Sequence, residues 1–219
     1  SNQEENDILK YWDDHQCFEK SIANRSEKKP YHFYDGPPFA TGLPHYGHIV
    51  ASLMKDVVPR YFTMRGFRVE RKWGWDCHGL PVENIIEKEL GLATKKDIEA
   101  YGIANFVNKC KERVFKYSAI QTEQTKRLGN FMDWDNSYYT MSDQNNYAIW
   151  NFLKVCWERG FLYKGRESIP WCPRCETAIS QHEILTETYK ETVHESVYLK
   201  LPLVGRKNEY LLIWTTTPW

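Results

Sequence analysis

The segment YDGPPFATGLPHYGHI, Tyr34–Ile49, contains three glycines, three prolines and two histidines in sixteen residues. The prolines at 37, 38 and 44 fix φ and stiffen the backbone. Apolar residues then recur at the spacing of one helix face, at Ile49, Val50, Leu53, Met54, Val57 and Val58. Gly66 marks the expected end of this helix, so the stretch predicts a rigid loop that leads into an amphipathic helix.

His45 and His48 lie three residues apart at the predicted start of that helix, so both side chains can face one ligand. A helix N-terminus presents free N–H groups and partial positive charge, which suits phosphate, and Gly47 lets a ligand approach the backbone closely. Half of a metal site and ordinary surface histidines are the alternatives. The combination of strand, rigid loop and helix favours a phosphate site, where imidazoles donate hydrogen bonds as charge builds during phosphoryl or nucleotidyl transfer.

Strands and helices alternate around this stretch. Short strands are predicted at Tyr31–Tyr34, before the loop, and at Phe67–Trp73, after the helix, and Pro81 then begins a second helix. Two longer helices are expected at about 103–128 and 143–159. The first should bury an apolar stripe of Phe106, Cys110, Val114, Tyr117, Ile120 and Leu128. The repeated order of strand, loop and helix is typical of a parallel α/β sheet, in which ligands bind beyond the carboxyl ends of the strands.

The composition is that of a soluble globular protein, with 42% apolar residues, 26% charged residues and a net charge of zero in 219 residues. Zero net charge argues against a strongly basic nucleic-acid-binding domain. The sequence shows no long apolar run and no signal peptide, so we expect no membrane association. Four of the six cysteines are scattered and two form a CxxC motif, which favours reduced thiols and a cytoplasmic location.

The character of the sequence changes near residue 166, where helical signals become sparse. Cys172 and Cys175 form the CxxC motif, which has the spacing of half a zinc knuckle. A redox pair and two packed thiols are the alternatives. Strands are predicted at Ser196–Leu203 and Tyr210–Thr216, so a small β-rich module is expected in this region.

Three motifs in this order resemble the class I aminoacyl-tRNA synthetases. HYGH at 45–48, preceded by DGPPFATGLP, is similar to their HIGH signature. GWDCHGLPVE at 74–83 resembles the second conserved block of the isoleucine-specific members, and WTTTPW at 214–219 resembles the threonine-rich peptide of their editing domain. The best match is the N-terminal region of an isoleucine-specific enzyme. The alternatives are a valine or leucine enzyme, a compact HxGH nucleotidyltransferase, and a non-catalytic binding protein derived from a synthetase.

The resemblance implies an enzyme, a ligase that forms isoleucyl-adenylate from isoleucine and ATP and then transfers the isoleucyl group to tRNA(Ile). It implies that His45 and His48 are catalytic and that these two histidines and Gly47 bind ATP, with Mg²⁺ expected alongside the nucleotide. The lysine-rich KMSKS signature of the family does not occur in these 219 residues. We therefore expect this fragment alone to be inactive and to bind tRNA weakly, and we expect the enzyme to be a monomer.

The resemblance also assigns an amino-acid pocket. Gly36, Pro37 and Phe39 are implied to line it. Asp76 is implied to accept hydrogen bonds from the α-ammonium of isoleucine, a role that suits a carboxylate at a strand end. A lone aspartate at such a position is otherwise most often a turn or cap residue.

Two further sites are implied in the last third of the chain. Thr215, Thr216 and Thr217 would belong to the hydrolytic editing site. Isoleucine and valine differ by one methylene, worth about 1–3 kcal/mol in a pocket, which is too little for faithful translation. Isoleucine enzymes are the standard example of this problem, and hydrolytic editing solves it. Cys172 and Cys175 would supply half of a zinc site.

The expected fold class is therefore α/β, the first half of a Rossmann-like parallel-sheet catalytic domain followed by a zinc-ribbon-like stem and the first strands of a β-rich editing domain. The expected divisions are an N-terminal helical leader at 1–30, the catalytic half with a helical extension at 31–165, the CxxC stem at 166–195, and the start of the editing domain at 196–219.

Overall fold

A computed structural model describes residues 1–186 and 191–218. The chain divides into two compact units, 1–166 and 167–219. Part of the expected CxxC stem and the last residue of the threonine-rich peptide, Trp219, lie outside the described residues.

The first unit is mainly helical. Its helices are α1 (Asn2–Asp14), α2 (Cys17–Ala23), α3 (Tyr46–Met64), α4 (Leu80–Leu90), α5 (Lys95–Tyr101), α6 (Ile103–Arg127) and α7 (Asp143–Glu158). The predicted helices that start after the rigid loop, near Pro81, and near residues 103 and 143 are confirmed. Helix α3 continues through Pro59 to Met64 without interruption.

Two parallel strands, β1 (Lys72–Trp75) and β2 (Asp133–Tyr139), form the sheet of this unit. The chain between them runs through α4, α5 and α6, which is the long crossover that parallel strands need. The predicted α/β class with a parallel sheet is confirmed for this unit.

The predicted strand at Tyr31–Tyr34 is wrong as a regular strand. Two isolated parallel bridges flank the segment, Pro30 with Arg68 before β1 and Phe39 with Asp76 directly after it. Pro37 and Pro38 lack the N–H groups that a continuous ladder requires, so pairing is confined to single bridges. The strand predicted at Phe67–Trp73 is also shorter and begins later, because regular pairing starts at Lys72 in β1.

The core of the first unit is built on β1 and the inner faces of α4 and α6. Its main cluster of buried apolar residues comprises Ala40, Trp73, Trp75, Cys77, Val82, Val114 and Met132. Trp75 is fully buried, so its indole fills the space between the sheet and the helices. A second, smaller cluster joins Ile86, Ile98 and Phe106, which lie on α4, α5 and α6.

The inner face of α6 is more polar than its sequence predicts. Phe106 and Val114 are buried as expected, but the second half of the helix buries Ser118, Gln121 and Thr125. Leu128, expected on the apolar stripe, is 48% exposed. Within this stripe, Gln121 faces carbonyl groups of the rigid loop, which need hydrogen-bond donors.

The second unit consists of short antiparallel pairs. Strands β3 (Trp171–Cys172) and β4 (Thr177–Ala178) pair around the CxxC turn, and α8 (Gln181–Thr186) follows. Strands β5 (Val197–Pro202) and β6 (Tyr210–Thr215) form a hairpin, within a residue or so of the predicted strands.

In the part of the chain that the structure describes, no helix combines the length and the apolar character that crossing a membrane requires.

Because Trp75 is buried, we expect its side chain to contribute strongly to the free energy of unfolding. Trp75→Ala removes a fully buried indole and should lower the free energy of unfolding of the 219-residue chain by about 3–5 kcal/mol. Trp157→Ala is the matched control, because Trp157 is 67% exposed on α7, and it should cost less than about 1 kcal/mol. Urea unfolding followed by circular dichroism measures both, and equal losses would contradict the assigned core.

Candidate functional site

The two histidines cap helix α3 reciprocally. His45 is the N-cap residue, and its Nδ1 accepts a hydrogen bond from the backbone N–H of Gly47 at 3.1 Å. The Nδ1 of His48 accepts from the backbone N–H of His45 at 3.2 Å, which completes a capping box. The two rings lie with their centroids 4.1 Å apart. Both imidazoles are therefore held at the positive end of the helix dipole.

These hydrogen bonds determine which ring nitrogen carries the proton. A nitrogen that accepts from a backbone N–H is unprotonated, so in the neutral imidazole the proton resides on the other nitrogen. Since Nδ1 is the acceptor in both His45 and His48, each neutral ring has Nε2–H as its donor. The helix start thus offers two imidazole donors at the positive end of the helix dipole, an arrangement suited to an anionic ligand.

The environment of His48 keeps its ring neutral. Partial burial lowers the pKa of His48 below its ordinary value, and the nearby His45 and the Lys55 ammonium lower it further. At neutral pH His48 is therefore an uncharged hydrogen-bond donor rather than a cation.

The rigid loop is tied to the sheet through Asp35. One oxygen of this carboxylate, Oδ2, accepts a hydrogen bond from the backbone N–H of Gly74 in β1 at 2.9 Å. The other, Oδ1, lies 2.7 Å from the Nζ of Lys55 in α3. Lys55 also donates to the carbonyl of Gly36 at 2.6 Å, and the Tyr138 hydroxyl donates to the carbonyl of Asp35 at 3.0 Å. Asp35 therefore connects the loop to both strands and to the histidine-bearing helix.

Helix α6 holds the other half of the loop. The buried Gln121 amide donates to the carbonyls of Gly42, at 2.7 Å, and Phe39, at 3.3 Å. The Nε of Arg113 donates to the carbonyl of Thr41 at 2.9 Å. Three loop carbonyls that lack ladder partners are thus satisfied by Gln121 and Arg113 of α6, which explains why Gln121 is polar and buried. The other two buried polar residues of the stripe bond elsewhere, Ser118 to the Phe115 carbonyl and the Tyr139 hydroxyl, and Thr125 to the Gln121 carbonyl.

The residues predicted to bind an amino acid lie around the carboxyl end of β1. Asp76 follows β1 directly, and its backbone N–H donates to the carbonyl of Pro38 at 2.9 Å. The structure brings Asp76 beside Phe39 through their isolated bridge. Pro37 is half-buried, whereas Gly36 is exposed and has open space where a side chain would point. The carboxylate of Asp76 and the exposed loop backbone are therefore neighbours at the strand end.

A cavity of about 460 Å³ lies beside the histidines and is lined by residues of the loop, α3, β1 and α6. His48, Lys55, Trp73 and Gln121 contribute to its wall. His45, Asp76, Gly36 and Phe39 do not line it, so the cavity adjoins the site without containing it.

The CxxC motif lies in the second unit, in the turn between β3 and β4. The backbone N–H of Cys175 donates to the Sγ of Cys172 at 3.4 Å. Hydrogen bonds from the backbone of Cys175 and Arg174 lower the pKa of the Cys172 thiol, which favours the thiolate that binds metals. The described residues contain no group of three or more His, Cys, Asp and Glu side chains that could hold a metal ion. The turn therefore fits half of a zinc site.

The threonine run begins at the end of β6. Thr215 is the last residue of that strand and pairs with Val197 across the hairpin. Its Oγ1 accepts a hydrogen bond from the backbone N–H of Thr217 at 3.0 Å. Thr216 and Thr217 are exposed beyond the strand end, so their hydroxyls are accessible within this unit.

Sequence reasoning overlooked the residues that hold the loop, above all Asp35, Lys55 and Gln121. Lys55 carried a signal, because it follows His48 by seven residues and so lies on the same helix face two turns later. Asp35 directly precedes the Gly-Pro-Pro sequence, where no continuous ladder can form and a side chain can instead accept from a backbone N–H of β1. Gln121 had no local signal, because its partners are 79 and 82 residues away.

The fold and the histidine-capped helix agree with a sequence comparison. The family described as tRNA synthetases class I (I, L, M and V) matches residues 7–210, and the chain belongs to this family. This confirms the resemblance drawn from the sequence motifs.

Among curated proteins, the chain is similar to isoleucine–tRNA ligases. It is 46% identical to the enzyme of Treponema denticola over 99% of this chain, and 45% identical to that of Clostridium acetobutylicum over 98%. It is also 46% identical, over 97% of its length, to isoleucine–tRNA ligase 2 of Bacillus cereus. The chain spans about a fifth of the length of these relatives, 21%, 21% and 20% respectively.

Among solved structures, the chain resembles a LeuRS of Agrobacterium radiobacter K84, determined as a ternary complex with tRNA and LeuAMS. The TM-score is 0.55, and the match covers 81% of this chain and 20% of the other. At 22% sequence identity the likeness establishes the fold, that of a class I synthetase catalytic domain.

The neutral state of His48 can be measured. Titration of ¹³C-labelled histidine in the 219-residue chain by NMR should give His48 an apparent pKa below its ordinary value of 6.5, because its partial burial and the neighbouring Lys55 and His45 oppose the charged form. His48→Gln assigns the resonance. A pKa at or above 6.5 would contradict the downward shift that we assign to this imidazole.

Proposed function

We propose that the longer protein containing this chain is an isoleucine–tRNA ligase. It activates isoleucine with ATP to form isoleucyl-adenylate and pyrophosphate, and it then transfers the isoleucyl group to tRNA(Ile). The observation that carries this proposal is the start of α3, where His45 and His48 cap each other through Nδ1 and retain Nε2–H as donors. The 45–46% identity to isoleucine–tRNA ligases over nearly the whole chain supports the choice of amino acid.

In the activation step, the carboxylate of isoleucine attacks the α-phosphorus of ATP, and the bond to the bridging oxygen of pyrophosphate breaks. Negative charge increases on the phosphate oxygens in the transition state. The Nε2–H groups of His45 and His48 donate to those oxygens, and Gly47 lets the nucleotide approach the helix N-terminus. Because the reciprocal cap already fixes both rings, little reorganisation accompanies the reaction. Mg²⁺ bound to the nucleotide would neutralise part of the phosphate charge.

Isoleucine is held at the end of β1 in this proposal. Asp76 accepts hydrogen bonds from the α-ammonium group, a charge-assisted interaction. Gly36, Pro37 and Phe39 line the pocket beside it. This is consistent with the bridge between Phe39 and Asp76 and with the open space at Gly36.

The remaining roles concern the second unit and the full-length enzyme. Thr215, Thr216 and Thr217 contribute to a hydrolytic editing site that removes valine from mischarged tRNA(Ile). Cys172 and Cys175 hold zinc together with ligands from the rest of the protein, as a zinc-ribbon-like stem. We propose a cytoplasmic, monomeric enzyme with no membrane partner.

Isoleucine-dependent exchange of pyrophosphate into ATP tests the activation step. The full-length protein should exchange strongly with isoleucine and weakly with valine and leucine. His48→Ala should reduce kcat about 100-fold or more, because it removes one preorganised donor to the transition state. His15→Ala, at the exposed C-terminal end of α1, is the matched control and should leave exchange unchanged.

The outcomes of that assay separate the candidates. Preferential exchange with valine or leucine would assign the protein to a sibling enzyme. No exchange with any amino acid by a folded, full-length protein would contradict the synthetase function and favour a non-catalytic synthetase-derived protein.

Editing is tested with the same full-length protein. The double variant Thr216→Ala, Thr217→Ala should accumulate valyl-tRNA(Ile), which the wild-type enzyme hydrolyses, while isoleucine-dependent exchange stays unchanged. Thr192→Ala, another exposed threonine of the second unit, is the control. Continued rapid hydrolysis of valyl-tRNA(Ile) by the double variant would show that the threonine run does not act in editing.

Zinc content tests the role of the CxxC turn. The purified full-length protein should contain zinc that is lost in Cys172→Ser, because a structural site needs about four ligands. Cys17→Ser, in α2 of the first unit, should retain it. Elemental analysis after dialysis gives the ratio, and an unchanged zinc content in Cys172→Ser would rule out this turn as a ligand.

A further inference from the structure

The Asp35 side chain is buried and charged. Its exposed fraction is 0%, and that of its partner Lys55 is 22%. The ion pair is closed at 2.7 Å, and the lysine ammonium also donates to the Gly36 carbonyl at 2.6 Å. Lys55 further lies over the Trp73 ring, with 5.2 Å between Nζ and the ring centroid.

Stability alone does not account for such a pair. Buried ion pairs gain little over well-packed apolar residues of the same volume, because both charges must be desolvated. A buried pair of this kind instead fixes one arrangement of the elements that carry its charges. Here those elements are the loop, which carries Asp35, the strand β1, whose Gly74 N–H binds Asp35, and the helix α3, which carries Lys55.

The geometry of α3 relates Lys55 to the candidate active site. Lys55 lies two turns beyond His48 on the same helix face, and both residues line the cavity beside the loop. The Lys55 ammonium also donates to the carbonyl of Gly36, the first residue of the proposed amino-acid pocket. The pair therefore links the proposed amino-acid half of the site to the helix that carries the proposed nucleotide half.

We propose that Asp35 and Lys55 are a positioning pair that sets the placement of the Gly36–Pro37 backbone relative to the histidine-bearing start of α3. This inference rests on the proposed function for its effect on catalysis. Neither side chain need touch a substrate. A displacement of about 1 Å between reacting groups lowers the rate about 100-fold, so the pair should act on kcat more than on binding.

The test uses the full-length protein and two readouts. Lys55→Met removes the charge but keeps an unbranched side chain, and it should lower kcat for isoleucine-dependent exchange about 30–100-fold with KM for ATP and isoleucine within about threefold. Lys55→Arg should restore most of the rate, since it keeps the charge. Asp35→Asn combined with Lys55→Met should be little worse than either single change, because the two residues act as one unit.

Hydrogen exchange provides a readout that does not depend on activity. Amides of the peptide spanning residues 35–47 should exchange at least about fivefold faster in Lys55→Met than in the wild type. Lys109→Met is the matched control, because Lys109 forms an exposed ion pair with Glu112 on α6, and it should change neither the exchange rate nor kcat.

The results distinguish the two proposals. Unchanged amide exchange over residues 35–47 in Lys55→Met would overturn the positioning pair, whatever the enzyme does. A normal kcat, or a loss confined to KM, would overturn its catalytic effect. If the wild type shows no isoleucine-dependent exchange while the loop still loosens in Lys55→Met, the proposed function fails and the structural role of the pair stands.

Discussion

The site depends on how a proline-rich loop is held without a backbone ladder. Pro37 and Pro38 cannot donate hydrogen bonds, so the segment before the histidines cannot join β1 as a full strand. Side chains take over that task. On one side the Asp35 carboxylate accepts a hydrogen bond from the Gly74 N–H and forms an ion pair with Lys55, and on the other the Gln121 amide donates to the loop carbonyls. These contacts position the loop backbone, from Gly36 to the cap at His45.

Side chains also satisfy unpaired backbone groups at the histidine pair. The first N–H groups of any helix lack intrahelical partners, and here the imidazoles satisfy two N–H groups at the start of α3. Because Nδ1 is used for the cap, the protonation pattern of each ring is set by the fold rather than by the ligand. Partial burial and the Lys55 charge then keep His48 neutral. A structural role and a proposed catalytic role thus use opposite nitrogens of the same ring.

Local patterns in the sequence predicted the helices α3, α4, α6 and α7, the parallel class of the sheet and the two hairpin strands of the second unit, because each depends on periodicity or on nearby capping residues. The motifs also led to the class I synthetase family, which the comparison confirms. Long-range contacts escaped prediction. Gln121 interrupts the predicted apolar stripe of α6 because its partners are loop carbonyls 79 and 82 residues away. The roles assigned to the histidines, the pocket residues, the threonines and the cysteines stay predictions.

A crystal structure of the full-length protein with isoleucine and a non-hydrolysable ATP analogue would show how the two histidines meet the nucleotide. We expect Nε2 of both His45 and His48 to lie about 3 Å from phosphate oxygens, while Nδ1 of each ring keeps its backbone N–H partner and Asp35 remains paired with Lys55. Phosphate oxygens bound through Nδ1, with the reciprocal cap broken, would contradict it. So would a nucleotide that binds away from the start of α3.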